Sequence, residues 1–157
     1  MAVVNKYVDT VSDGSLPRNP IDPHFLGGGV VAIGGTVELA SGDSSTSTVT
    51  IAVGVPSHWR PIKGLLTFQH DAITALTGLD IGDASNPDGL ADGLNVSTAG
   101  AKDPFFSVGA ADVGKPLWEI LGYTEATKPE TIDIIATLKT NASSAGTLTP
   151  VLIFSAG

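Results

Sequence analysis

Thr131-Ile132-Asp133-Ile134-Ile135-Ala136-Thr137-Leu138-Lys139 is the stretch on which the fold turns. Ile132, Ile134, Ala136 and Leu138 take alternate positions, with Asp133, Thr137 and Lys139 between them. Successive side chains of a strand point to opposite faces, so one face here is oily and the other wet. That is the pattern of a strand lying on a core with its back to water. The same period of two recurs along the chain. In residues 147–154, Leu148, Leu152 and Phe154 oppose Thr147 and Thr149. In residues 46–53, Val49, Ile51 and Val53 alternate with Thr46, Thr48 and Thr50. In residues 30–39, Val31, Ile33, Val37 and Leu39 are apolar, while Thr36 and Glu38 are polar.

Shorter strands are expected at 63–69, 78–82, 94–98, 105–108 and 117–123, where Thr, Val and Ile favour extended backbone. Residues 40–45 and 141–146 are rich in Ser, Gly, Asp and Asn and read as hairpin connections. Helix is expected only as short pieces at 71–76 and 110–114. No window sustains a helical stripe, which excludes a coiled coil. The fold class is therefore all-β, an antiparallel β-sandwich of jelly-roll type or a closed barrel.

Residues 1–29 read as an extended N-terminal arm and residues 30–157 as the sandwich domain. Leu16-Pro17-Arg18-Asn19-Pro20-Ile21-Asp22-Pro23 favours extended backbone, and Gly27-Gly28-Gly29 reads as a hinge. One reading of this segment is a frayed terminus. The other is an arm that orders against a neighbouring subunit, with Tyr7, Leu16, Ile21 and Phe25 among its apolar anchors.

The composition removes several function classes. The length of 157 residues fits one domain. There is no Cys, so no disulfide, thiolate nucleophile or Cys-based zinc site exists. Charged residues are 15% of the chain, against roughly 25% for an average domain, and polarity comes instead from 29 Ser plus Thr. A net charge of -8 argues against a nucleic-acid partner, which calls for a basic stripe. The most apolar window, residues 25–35, contains five glycines and falls short of the ~20 residues that span a bilayer, so no membrane partner is expected. The first eleven residues lack a basic segment followed by an apolar run, so no signal peptide is expected.

Residues 79–93 hold four of the sixteen acidic residues. Asp83, Asn86, Asp88 and Asp92 can offer oxygens to a hard cation, although their spacing is not that of an EF-hand. The competing reading is a long turn whose Asp and Asn side chains bond nearby backbone amides. No metal or other cofactor is assigned. A hydrolase would need Ser57, a His (His24, His58 or His70) and an acid such as Asp71 to converge. Ser57-His58 and His70-Asp71 are adjacent pairs whose members point apart in a strand, and no Gly-x-Ser-x-Gly elbow is present. No catalytic residue is assigned. Sixteen acids allow many carboxylate pairs, so glycosidase geometry has no signal here. The glycine pairs lack a following helix to cradle phosphate. Trp59 and Arg60 are residue types that anchor interfaces, and Trp59 reads equally as the cap of the sandwich core.

The order of pieces carries a resemblance. The arm leads into a Thr-rich strand pair, then Gly78-Leu79-Asp80-Ile81-Gly82-Asp83 with Pro87-Asp88-Gly89-Leu90-Ala91-Asp92. Pro129-Glu130-Thr131-Ile132-Asp133 and a last strand after Ala145-Gly146-Thr147 follow. Over residues 46–157 this resembles the β-sandwich capsid decoration (cement) and head-fibre proteins of tailed bacteriophages. The resemblance implies a structural protein on the outer surface of a virion, commonly a homotrimer, whose partners are itself and the major capsid protein. It transfers no active site. The alternative function is a carbohydrate- or receptor-binding module of a phage tail or head fibre, against which the scarcity of aromatic residues counts.

Overall fold

The computed structural model describes residues 3–7 and 29–156. Eleven strands and one short helix make up these residues: β1 Asn5–Tyr7, β2 Val30–Gly34, β3 Val37–Leu39, β4 Thr48–Pro56, β5 Arg60–Pro61, β6 Phe68–His70, β7 Leu79–Gly82, β8 Ala91–Leu94, β9 Gly100–Lys102, α1 Leu117–Ile120, β10 Thr131–Leu138 and β11 Gly146–Ser155. One sheet has the order β1-β4-β10-β7-β8. The other runs β2-β11-β6-β9, with β3 and β5 also paired to β11. The architecture is the all-β sandwich that the alternation predicts.

The alternation works as expected on β10, where Ile132, Ile134, Ala136 and Leu138 are buried. On β11 the buried set is Leu148, Pro150, Leu152 and Phe154. Phe154 sits at the centre of the aromatic core, with the Phe105 ring 5.5 Å away and the Trp59 ring 6.0 Å away. Full burial of each such side chain contributes about 1.5–3 kcal/mol.

The register explains where the strands break. Residues 30–39 pair with β11 in one continuous register, interrupted only at Gly35 and Thr36. Opposite that gap lies Pro150, which has no amide to give, and the Gly35 amide bonds its carbonyl. A Cβ on Gly34 would sit 2.0 Å from the same oxygen, so that position admits only glycine. On the other side of β11, the chain takes seven residues from Pro61 to Phe68 while β11 takes four from Phe154 to Pro150. The three extra residues loop away from the sheet. The strand expected at 63–69 is thus reduced to Phe68–His70.

Five other expected segments change. Residues 117–123 are not a strand: Pro116 fixes its own backbone at φ −65° and Leu117–Ile120 coils into one helical turn. Residues 105–108 form consecutive turns, nucleated by Asp103, whose carboxylate accepts the Phe105 amide. The strand expected at 94–98 lies earlier, at Ala91–Leu94, and stops where the Asn95 side chain bonds the Ser97 amide. Residues 71–76 and 110–114 hold turns rather than helix.

Asn5–Tyr7, read with the arm, is the edge strand of the first sheet and pairs parallel to Thr48–Thr50. Lys6 fastens it, with an ion pair to the buried Asp43 at 2.8 Å and a bond to the Glu38 carbonyl at 2.9 Å. Leu16, Ile21, Phe25 and His24 lie outside the described residues.

Candidate functional site

Two surfaces stand out, and both are built by loops on the rigid sheets. The first centres on the acidic stretch after β7. Gly82 ends that strand buried, and a Cβ there would lie 2.0 Å from the Asn86 carbonyl oxygen, so the loop doubles back directly over it. Asp83 closes the turn: its Oδ1 accepts the amides of Ser85 at 3.1 Å and Asn86 at 2.7 Å. Its Oδ2 accepts the Tyr123 hydroxyl. That bond raises the Tyr123 pKa above its usual value, because the phenol proton is shared with a carboxylate.

Asp80 and Asp92 flank Lys139. The Lys139 ammonium lies 2.6 Å from Asp92 and 3.5 Å from Asp80, and Asp80 also accepts the Gly93 amide at 2.8 Å. Burial raises the Asp80 pKa, with the Gly93 amide and Lys139 pulling against it. The hydrogen bond from Lys139 lowers that of Asp92, and the same bond raises that of Lys139. Of the proposed cation ligands, Asp83 spends its oxygens on two amides and a phenol, and Asp92 on a lysine. Among the described residues no three His or acidic side chains gather as a metal site. The arrangement is that of the long self-bonded turn.

Beside this loop lies an open groove of about 300 Å³ on the first sheet. Tyr123 and Ile135 give it apolar walls, and Asp83 and Asp133 border it. Asp133 is exposed and accepts the Gly54 amide at 2.8 Å through Oδ1, which leaves Oδ2 open. Sequence spacing gave no hint of this groove, since its walls come from β10, the 83–84 turn and the segment 123–129.

The second surface is the looped-out segment after β5. Leu65 is 43% exposed and Leu66 63%, and Phe106 on the neighbouring loop is 62% exposed. These side chains sit on braced backbone. Lys63 donates to the carbonyls of Phe106 and Val108, Gly64 to the Asp103 carboxylate, and Arg60 to the Gly114 carbonyl.

The remaining sequence candidates are dispersed. Trp59 is 2% exposed, with its ring against Phe154. Arg60, next to it, is exposed. Ser57 donates its hydroxyl to the Pro129 carbonyl at 2.6 Å, and His58 is exposed. His70 is buried on β6, with Nδ1 3.0 Å from the Asp71 carbonyl and no partner on Nε2. The Asp71 carboxylate accepts the Thr147 amide. These groups form no Ser–His–acid relay. Tyr7 belongs to β1.

No protein-family model and no curated protein matches the sequence. A solved structure does match: a chain of the cyanophage Pam1 capsid asymmetric unit superposes with a TM-score of 0.59 at 16% identity. The superposition covers 95% of this chain and 99% of that one. The two-sheet fold described here is thus one that a component of a phage capsid also adopts.

Proposed function

We propose that this chain is a non-enzymatic structural protein of a bacteriophage virion, which decorates the outer surface of the capsid and stabilises it by binding the major capsid protein lattice. The observation that carries this reading is the near-complete superposition on a chain of a phage capsid, from end to end on both sides. The disposition of the polar groups also supports it. Asp43, Asp80, Asp83, Asp103 and Asp133 each fasten backbone amides or a cation, as a load-carrying block requires. Copies repeated on a lattice bind through multivalency, so each contact can be modest.

The test is co-sedimentation of the purified chain with emptied capsids of the phage that encodes it, with mass spectrometry of purified virions alongside. Saturable binding that raises the capsid disruption temperature is the expected result. Absence of the chain from virions, with no binding to heads, would sink the reading.

A further inference from the structure

We infer that the braced apolar patch of one copy docks into the Tyr123–Asp133 groove of a second copy, and that the chain associates with itself head to tail. Leu65, Leu66 and Phe106 are exposed on two loops that three hydrogen bonds tie together, two from Lys63 and one from the Gly64 amide. Their exposed area is on the order of 300 Å², at the scale where the largest patch of a monomer is often functional. Rigid presentation lowers the ordering cost of binding.

Charge selects the occupant. The chain carries -8, so two copies repel unless their contact is locally favourable. Around the patch the charge is positive. Arg60 and Lys63 donate to carbonyl groups, and neither they nor Lys102 has an ion-pair partner among the described residues. Both Arg60 and Lys63 keep further donors free. The acids nearby only partly offset this: Asp103 keeps its charge while its oxygens take the Gly64 and Phe105 amides, and Lys115 faces both Asp112 and Glu119, so four cations stand against three acids.

The groove on the other sheet has the opposite character. It is concave, walled by Tyr123 and Ile135 and edged by Asp133, and Glu130 stands exposed beside its Pro129 and Thr131 rim. Neither Asp133 nor Glu130 has a cation partner among the described residues. A patch-to-patch contact would set cations against cations. A patch-to-groove contact sets Leu66 and Phe106 on the apolar walls and Arg60 and Lys63 against Asp133 and Glu130. Such a heterologous contact repeats from copy to copy and closes into a ring when the rotation permits.

Sedimentation of the purified full chain tests this over a dilution series reaching on the order of 1 mM. The wild type should assemble, more weakly as salt rises. Leu66→Asp with Phe106→Asp should weaken assembly by at least about 30-fold, the scale of a hot spot. Thr131→Trp, on an exposed rim position, should block the groove and do the same. Mixing these two assembly-deficient variants should restore a dimer, since one keeps an intact groove and the other an intact patch. Trp59 fluorescence monitors folding of each variant. A wild type that stays monomeric overturns the proposal. So does unchanged assembly of either folded variant, or a mixture that fails to pair.

Discussion

The carboxylate of Asp133 on β10 accepts the amide of Gly54 on β4 at 2.8 Å, where β4 carries an extra residue against its partner. The same device recurs at the far side of the sheet, where Asp80 on β7 accepts the amide of Gly93 at a register shift between β7 and β8. Both glycines have φ 71°. A bulge turns an amide out of the ladder, and an aspartate on the adjacent strand takes it up. Two of the acids that make this chain so negative are therefore fittings of the sheet.

Substitution of these glycines should reveal the backbone requirement. Nothing lies within 4 Å of a Cβ added to Gly93, so Gly93→Ala isolates the penalty of left-handed backbone, about 1 kcal/mol. Gly93→Asn should cost less than Gly93→Ala, because Asn tolerates that region. Urea denaturation that ranks Asn below Ala in stability would contradict this account.

Gly82 presents a different case, because the obstacle is backbone. A Cβ would come within 2.0 Å of the Asn86 oxygen and 2.6 Å of the Pro87 carbonyl carbon. Gly82→Ala should destabilise by about 3 kcal/mol, at the upper end for overpacking. The loss of the turn should also free Tyr123 from Asp83, visible as a drop in the phenol pKa by ultraviolet titration.

Trp59 should behave as a core residue in every state of assembly. Trp59→Ala should cost about 3–5 kcal/mol, the range for removing a buried aromatic side chain. Its fluorescence should resist acrylamide in the free chain. Trp118, partly exposed with Lys128 4.9 Å over its ring, should account for the quenchable fraction, which a Trp118→Phe variant would remove.

Alkaline pH should weaken the fold through two groups. The Asp83 bond raises Tyr123 above its ordinary 10.0, and the Asp92 bond raises Lys139 above its ordinary 10.5. Both hold protons more tightly folded than unfolded. Their contribution is complete below the unfolded values and disappears as pH climbs through the folded ones. Between pH 9 and 12 the melting temperature of the wild type should therefore fall more steeply than that of a Tyr123→Phe, Lys139→Gln double variant. Parallel curves would remove these two bonds as the cause.

The alternating residues of β10 and β11 dictate a half-buried strand pair, because a period of two admits one oily face and little else. Residues 30–39 read as one strand by their alternation, and the interruption at Gly35 and Thr36 follows from their pairing opposite Pro150. In residues 117–123 the run Leu-Trp-Glu-Ile-Leu suits either state, and Pro116 tips it to a helical turn. The exposure of Leu65 and Leu66 was invisible for another reason: it follows from a three-residue mismatch against β11, a strand some ninety positions away. The union of Asp83 with Tyr123, and of Lys139 with Asp80 and Asp92, is equally non-local. Side-chain periodicity is a property of neighbours in the chain and sets which face is buried. Pairing register and loop closure join residues distant in sequence, so the groove and the exposed patch exist only once the strands of each sheet have paired and the loops have closed on them.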